Sequence, residues 1–197
     1  MPRQATLSGM PAPEIVLVRH GETEWTVSER HTGRTDVPLT ENGRTQAKAL
    51  GARLTERSFG RVLASPLVRA RDTCELAGFA ARAELRDDLM EIDYGDAEGR
   101  TTVQMREDVP GWTAWSHGAP GGESLAEVGA RVDVVVDELR ATEGDVAIFA
   151  HGHILRVLAA RWIGLGPECG SRLRLETGSL SVLGWEREHQ VLLMWNT

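Results

Sequence analysis

Two histidines in this chain come directly after short runs of apolar residues. His20 follows residues 14–18, EIVLV, and Arg19, while His151 follows residues 146–150, VAIFA. Such β-branched runs predict buried strands of a parallel sheet, and ligands bind at the carboxyl ends of strands in open α/β sheets. A single histidine after a strand is more often a hydrogen-bonded structural residue than a functional one. Together they predict a shared pocket, in which a neutral imidazole is a competent nucleophile.

Two arginines are placed to supply positive charge to such a pocket. Arg19 adjoins His20, and Arg69 lies near the start of a helix that is predicted to begin at residues 65–66. The free N–H groups of a helix start and the fork of an arginine both bind phosphate oxygens. A solvated helix face is the alternative for Arg69 and its neighbour Arg71. Cations of this kind favour phosphoryl transfer without a metal ion, because its transition state needs mainly positioning and positive charge.

The overall composition is that of a globular protein with one domain. The chain has 197 residues, of which 41% are hydrophobic, and its formal net charge is −7. This charge argues against a nucleic-acid or membrane-surface partner, so an anionic substrate requires a locally basic pocket. We expect a tail over residues 1–13 and one domain over residues 14–197.

No stretch of the sequence predicts secretion or membrane insertion. Residues 1–13 lack the continuous apolar core of a signal peptide, and no run approaches the roughly 18 apolar residues of a membrane span. A cytoplasmic location is the resulting expectation. Cys74 and Cys169 are far apart and have no metal-like spacing, which favours packing roles in a reduced compartment.

The hydrophobic pattern predicts alternating strands and helices, and therefore an α/β fold. Thr40 is expected to cap a helix over residues 41–57, and Ser124 with Glu127 forms a capping box for a later helix. The remaining predicted elements are strands over residues 14–18, 61–64, 146–150, 172–176, 179–185 and 190–195, and helices from residue 65 and over residues 154–163.

Four sequence blocks resemble the histidine phosphatase superfamily, the phosphoglycerate-mutase-like proteins. They occur in that family's order, and together they span residues 14 to about 165. The blocks are LVRHGETEW at residues 17–25, SPLVRARDT at residues 65–73, LMEIDYG and the following EG within residues 89–99, and AHGH at residues 150–153. The resemblance implies a three-layer α/β/α sandwich with a mostly parallel central sheet.

The resemblance also implies a role for individual residues of these blocks. His20 would be the nucleophile that accepts the phosphoryl group. Glu91 would donate a proton to the leaving group, and Glu98 is the competing candidate for that role. No metal ion and no cofactor is implied. The residues that would hold the phosphoryl oxygens are Arg19, Arg69 and His151.

The resemblance also implies further substrate contacts, at positions similar to those that face the substrate in the family. The loop at residues 31–40, HTGRTDVPLT, resembles such a segment, although His31 and Arg34 fit surface positions equally well. Glu123 has an alternative interpretation as a helix-start charge that the helix dipole favours. The residues expected to contact the phosphate or its carrier are Arg19, Thr26, Thr32, Gly33, Arg69, Glu123, His151, Gly152 and His153.

Two features favour a phosphatase over a cofactor-dependent phosphoglycerate mutase. Thr26 stands where mutases of the family usually carry asparagine. Only the 31 residues 92–122 separate Glu91 from Glu123, whereas family mutases carry a longer insertion there that helps to exclude water. We therefore expect the compact phosphatase branch, in which water takes the phosphoryl group from His20. The mutase remains the alternative.

Within that branch, the sequence indicates a small phosphorylated metabolite as the substrate. The HTGRTDVPLT loop, the pair Trp112 and Trp115, and AHGH followed by a helical RVLAARW resemble sugar-bisphosphatases and small broad-specificity phosphatases. This favours a small-molecule phosphomonoester, and among these a sugar phosphate. The two tryptophans fit a substrate wall and an aromatic packing anchor equally well. A homodimer is left open.

Two other classes of function fit the residues less well. A metal enzyme would use His20, His151 and His153, but it lacks a coherent set of carboxylate partners, and nearby arginines would repel the cation. An inactive binding module has no chemical need for the whole set of block residues. That set comprises Arg19, His20, Arg69, Glu91 and His151.

Overall fold

A computed structural model describes residues 12–197, so most of the predicted tail over residues 1–13 lies outside the described residues. Six strands form one sheet in the order β3-β2-β4-β1-β5-β6. The first four strands in this order are parallel, and β5 and β6 are antiparallel to their neighbours. The strands are β1 (Ile15–Arg19), β2 (Arg61–Ala64), β3 (Ala83–Leu85), β4 (Val146–Ala150), β5 (Leu180–Glu186) and β6 (His189–Met194).

Helices and short 3₁₀ turns connect these strands. The α-helices are α1 (Glu24–Val27), α2 (Glu41–Leu54), α3 (Val68–Leu76), α4 (Thr102–Asp108), α5 (Ala114–His117), α6 (Leu125–Arg140) and α7 (Gly152–Trp162). The 3₁₀ turns span Ala80–Arg82, Asp87–Leu89, Gly95–Ala97 and Pro167–Arg172. No helix within residues 12–197 is long and apolar enough to cross a membrane.

Helices cover both faces of the sheet. In β1, Ile15 and Leu17 belong to the apolar core shared with α6 and α7, whereas Val16 and Val18 belong to the core shared with α2 and α3. This division follows from the strand geometry, since successive side chains point to opposite faces. Burying each such aliphatic side chain stabilises the fold by about 1.5–3 kcal/mol. The predicted three-layer sandwich with a mostly parallel sheet is confirmed.

The pairing of β1 with β4 brings the two predicted functional histidines together. Arg19 is paired with Ala150 at the ends of these parallel strands. The next residue of each strand is a histidine, and the backbone N–H of His20 donates to the carbonyl of Ala150 at 3.0 Å. His20 and His151 therefore leave the same edge of the sheet side by side.

Two predicted helix starts agree with the structure, whereas the helix predicted over residues 41–57 ends at Leu54 and two other starts differ. Thr40 caps α2, and Ser124 forms the capping box of α6 with Glu127. The prediction that a helix begins at residues 65–66 is wrong, because α3 begins only at Val68. The chain is extended at Leu67, whose N–H donates to the Ser65 hydroxyl at 3.3 Å and so closes a turn before the helix.

The strand predicted over residues 172–176 is also wrong. The segment begins at the end of a 3₁₀ turn, and its backbone groups bond to side chains instead of to a neighbouring strand. The carbonyl of Arg174 accepts from the indole of Trp195, and the N–H of Glu176 donates to the side chain of Asn196. Strand β3 and the start of α7 at Gly152 were not predicted.

The loop after β1 runs directly against the start of α2, which leaves no room for a side chain at Gly21. Gly21→Ala is expected to lower the free energy of unfolding by about 1–3 kcal/mol, the usual effect of overpacking. The added Cβ would clash with the carbonyl oxygen of Gly43. The control is Gly60→Ala, whose Cβ would lie 3.4 Å from its nearest neighbour. Urea unfolding of both variants measures the difference, and equally small effects would contradict this packing argument.

Candidate active site

His20 is buried at the end of β1, with only 3% of its surface exposed. Its Nδ1 lies 2.7 Å from the carbonyl oxygen of Gly21. A carbonyl oxygen only accepts hydrogen bonds, so Nδ1 carries the proton and Nε2 keeps a free lone pair. Burial lowers the pKa of His20 well below its usual value, and the positive charges of Arg69 and Arg19 lower it further. The ring is therefore neutral, which is the nucleophilic form.

His151 lies beside His20, with 5.2 Å between the ring centroids. Its Nε2 is 2.7 Å from the hydroxyl of Ser65. That hydroxyl accepts from the N–H of Leu67 and has its own hydrogen to donate to Nε2. In this arrangement Nδ1 of His151 carries a proton, and Nδ1 is buried without a hydrogen-bond partner. It is a free donor next to the lone pair of His20.

Arg69 is completely buried near the start of α3. Its Nη1 donates to the carbonyl of Thr35 at 3.0 Å, and its Nη2 donates to the carbonyls of Thr32 at 3.0 Å and Gly33 at 2.8 Å. From the other side, the carboxylate of Glu98 accepts from the N–H of Gly33 at 2.9 Å and of Thr35 at 3.2 Å. Arg69 and Glu98 thus fix the predicted substrate-side loop between them.

Arg19 lies against the first turn of α7. Its Nη1 donates to the carbonyl of Leu175, and its Nε is buried without a partner. A Cβ at Gly152 would lie 3.2 Å from the guanidinium carbon of Arg19. Gly152 therefore makes room for the guanidinium, which explains a glycine directly after His151.

Three buried N–H donors without a partner belong to residues around His20: the adjacent Arg19, the neighbouring ring of His151, and Arg69, whose charge acts on His20. Among residues 12–197 only five buried side-chain polar atoms lack a hydrogen-bond partner, and three of them are Nε of Arg19, Nε of Arg69 and Nδ1 of His151. An unsatisfied buried donor costs about 1–3 kcal/mol. A tetrahedral anion with several oxygens would satisfy all three donors and bring negative charge to two guanidinium groups. These residues can therefore bind a phosphoryl group in front of His20.

Glu91 lines the cavity above this donor set and is 5% exposed. One carboxylate oxygen accepts from the N–H of His153 at 2.9 Å, and the other accepts from Ile154 at 2.9 Å and Ile92 at 3.1 Å. The carboxylate thus occupies the free N–H groups at the start of α7. Its predicted role as proton donor is compatible with this location and stays a prediction.

A cavity of about 200 Å³ opens over His20. Arg69 and His151 are fully buried and do not line it. Among residues 12–197, no group of three or more histidine, cysteine, aspartate or glutamate residues is placed to hold a metal ion. The cavity is lined by Arg19, His20, Thr26, Glu29, Arg30, His31, Thr32, Glu91, Tyr94, Gly152, His153 and Arg156.

Not every predicted contact residue offers its side chain to this cavity. Thr26 lines the cavity, but its hydroxyl accepts from the N–H of Thr23 and donates to the carbonyl of Thr23, which completes the capping box of α1. Gly33 contributes backbone groups to the loop and does not line the cavity. The carboxylate of Glu123 binds the guanidinium of Arg131 and the N–H of Asp93, each at 2.8 Å, away from the cavity. The substrate contacts of these residues stay predictions.

Sequence reasoning assigned no role to Tyr94, although it lines the cavity. Its hydroxyl lies 2.8 Å from Nδ1 of His153 and fixes that ring. The ring of His31 lies 5.0 Å from Tyr94 and 5.1 Å from Trp112, so it is not a surface residue, and burial lowers its pKa to about 4. Trp112 is 1% exposed, which favours the packing interpretation for this tryptophan.

Arg156 and Ser65 were also missed by sequence reasoning. Arg156 lines the cavity, and Ser65 orients His151 from below. Arg156 follows Gly152 by four residues and shares its helix face, but the helix was predicted only from residue 154, so this relation was not recognised. Ser65 gave no signal, since a serine before a proline is common at a turn.

Most of the chain is similar in sequence to proteins of known name. An acid phosphatase of Mycobacterium tuberculosis is 42% identical over 182 residues, which cover 90% of this chain and 89% of that protein. Sedoheptulose 1,7-bisphosphatase of Saccharomyces cerevisiae is 34% identical over 79% of this chain and 69% of its own. A 2,3-bisphosphoglycerate-dependent phosphoglycerate mutase of Mesorhizobium japonicum is 38% identical over 83% of this chain and 88% of its own.

A solved structure shares the same architecture. The Rv3214 protein of Mycobacterium tuberculosis superimposes with a TM-score of 0.89 at 40% identity, over 94% of this chain and 98% of that protein. The family model described as histidine phosphatase superfamily (branch 1) matches residues 15–197, which include both histidines and both buried arginines of the site. The chain belongs to branch 1 of the histidine phosphatase superfamily.

Proposed function

We propose that the chain is a metal-independent phosphomonoester phosphatase that forms a phosphohistidine at His20. One observation carries the proposal: a neutral, buried His20 with a free Nε2 is surrounded by Arg19, Arg69 and His151, each of which keeps a buried N–H donor without a partner. Phosphoryl transfer requires an in-line nucleophile and preorganised positive charge, and these four side chains provide both.

The reaction then proceeds in two balanced steps. In the first, Nε2 of His20 bonds to phosphorus, the ester P–O bond breaks, and the leaving oxygen takes a proton from Glu91 to depart as an alcohol. In the second, a water molecule attacks the phosphohistidine and gives a proton to Glu91, while the P–N bond breaks and its electron pair returns to Nε2. Inorganic phosphate leaves, and both residues regain their starting states.

The substrate we propose is a sugar phosphate or a similarly small phosphorylated metabolite. The cavity volume of about 200 Å³ suits a molecule of this size. Two of the three curated relatives are named as phosphatases, and one of these acts on a sugar bisphosphate by its name. The third is named as a mutase, which keeps that activity as the alternative. The expected cytoplasmic location and the homodimer stay predictions.

Incubation with 3-phosphoglycerate separates a phosphatase from a mutase. We expect any turnover to give glycerate and inorganic phosphate, because the short segment over residues 92–122 lacks the longer insertion that helps family mutases to exclude water. Excess chelator should leave the rate unchanged, since Arg19 and Arg69 supply the positive charge and His151 supplies a hydrogen-bond donor. Phosphate assay and chromatography of the acids measure both outcomes.

The control for that experiment is His20→Ala, which should release no phosphate above background. Formation of 2-phosphoglycerate at a rate comparable to phosphate release would assign the chain to the mutases. Activity that is lost with chelator and restored by zinc or magnesium would overturn the metal-independent mechanism.

Glu91→Gln tests the proton donor. An alkoxide leaves poorly without a proton, whereas p-nitrophenolate leaves readily, so the loss of activity should be on the order of a hundredfold larger for a sugar phosphate than for p-nitrophenyl phosphate. The glutamine amide oxygen still accepts N–H bonds from α7, which favours a folded variant. Steady-state kcat for the two substrates measures the difference.

The comparison variant is Glu98→Gln. Because Glu98 holds the backbone of Gly33 and Thr35, its loss should reduce both activities by similar factors. A selective loss on the sugar phosphate in Glu98→Gln, together with equal losses in Glu91→Gln, would transfer the acid role to Glu98.

A further inference from the structure

One buried or half-buried arginine of the described residues has neither an ion-pair partner nor a role in the proposed chemistry. Most buried or half-buried arginines of residues 12–197 have a carboxylate oxygen within 4 Å, and Arg61, Arg86 and Arg161 are examples. Within this described part of the chain, the three that lack such a partner are Arg19, Arg69 and Arg156. The first two face the phosphoryl site, and Arg156 remains without an assigned role.

Arg156 is held rigidly. Its Nε donates to the carbonyl of Gly170 at 2.9 Å, and its Nη2 donates to the carbonyl of Ser171 at 3.2 Å. Its guanidinium carbon lies 4.5 Å from the ring centroid of Trp115, which in turn stacks on His153 at 4.7 Å. Gly170 packs closely behind Trp115, because a Cβ added at this glycine would lie only 2.8 Å from the indole. The stack is therefore fixed from behind.

The guanidinium of Arg156 lines the same cavity as Arg19 and His20. Two carbonyl dipoles and an aromatic face stabilise a cation, but they do not neutralise its charge. Its Nη1 makes no hydrogen bond within residues 12–197. A rigid cation that lines a small cavity and, among the described residues, keeps a free donor and has no carboxylate oxygen within 4 Å is suited to an anionic group of a bound molecule.

We propose that Arg156 binds a second anionic group, a carboxylate or a second phosphate, on the part of the substrate that leaves as an alcohol. This inference rests on the proposed phosphatase function, because it requires the first phosphate to lie against Arg19, Arg69 and His151. The inference narrows the substrate to molecules with two separate anionic groups, here called doubly anionic, of the size of a phosphorylated sugar or sugar acid. Phosphomonoesters of neutral alcohols are poorer substrates of the same site.

Two matched substrate pairs test the inference and distinguish the two sources of the second anion. sn-Glycerol 1-phosphate and D-3-phosphoglycerate share the configuration at C2 and differ by a carboxylate, and fructose 6-phosphate and fructose 1,6-bisphosphate differ by a phosphate. For wild-type enzyme, we expect kcat/KM for at least one doubly anionic member to exceed that of its partner by about tenfold or more, the worth of a charged hydrogen bond. The preference should decrease as salt is added.

Arg156→Gln should reduce this preference by about tenfold or more, mainly through KM, whatever its effect on the singly anionic substrates. Arg156→Lys keeps the charge without the fork and should retain part of the preference. The matched control is Arg106→Gln, an exposed arginine outside the cavity whose Nε donates to the carbonyl of Trp112. If Arg156 had a purely structural role, Arg156→Gln would lower kcat/KM for all four substrates together and leave the ratio within each pair unchanged.

Calorimetry on a His20→Ala background gives a readout that does not depend on turnover. The doubly anionic member should bind about tenfold more tightly, and this difference should shrink when Arg156→Gln is added. Equal affinities, or a preference that survives Arg156→Gln, would overturn the inference while the phosphatase proposal stands.

Failure of wild-type enzyme to hydrolyse any phosphomonoester would overturn the phosphatase proposal, and the binding comparison would still decide the role of Arg156. If Arg156→Gln does not fold, a wild-type enzyme without the preference contradicts the inference, and loss of the preference in Arg156→Lys supports it.

Discussion

Two guanidinium groups are buried beside His20, and within residues 12–197 neither has a carboxylate oxygen within 4 Å. Arg19 and Arg69 donate to backbone carbonyls, and each keeps a buried Nε–H without a partner. Burying a charge in this way costs several kcal/mol unless a counter-ion arrives. The remaining features of the site follow from this constraint: a dianionic phosphoryl group is the missing counter-ion, and the same charges keep the imidazole of His20 unprotonated.

The sheet and its loops supply the energy and geometry that make this arrangement possible. The register of β1 against β4 places His20 and His151 at one edge, and fully apolar strand interiors support that register. The absence of a side chain at Gly152 admits the guanidinium of Arg19, and the Glu98 carboxylate braces the loop whose carbonyls receive Arg69. The fold therefore compensates with packing and backbone hydrogen bonds for an electrostatically costly pocket.

Sequence reasoning located the parts of the site that depend on strand ends and helix starts. His20, His151 and Arg19 were predictable because a buried run stops abruptly before each histidine, and Arg69 because it opens a helix. The cap formed by Thr23 and Thr26 was not recognised from the sequence, and the predicted phosphate contact of Thr26 stays a prediction. The strand predicted over residues 172–176 failed because β-propensity does not reveal whether a partner strand lies alongside.

Contacts between distant segments were beyond the reach of sequence patterns. Arg156 becomes notable only when the structure shows Trp115 stacked against it and, among residues 12–197, no carboxylate oxygen within 4 Å. In the same way, Glu91 was identified by its block alone, and only the structure shows that its carboxylate accepts the N–H groups of His153 and Ile154. Side chains that act through tertiary partners carry little local signal.

The central claim is that a neutral His20 takes the phosphoryl group, and rapid quenching in alkali with labelled substrate tests it most directly. A phosphohistidine survives alkali and is cleaved by acid, so base-stable, acid-labile label should appear on His20 and be absent from His20→Ala. Because burial and two arginines lower the pKa of His20, the labelling rate, corrected for substrate ionisation, should differ by less than about threefold between about pH 7.5 and about pH 5.5. Label on a serine, cysteine or aspartate, or a fall of about tenfold over that range, as for a histidine of ordinary pKa, would contradict the account.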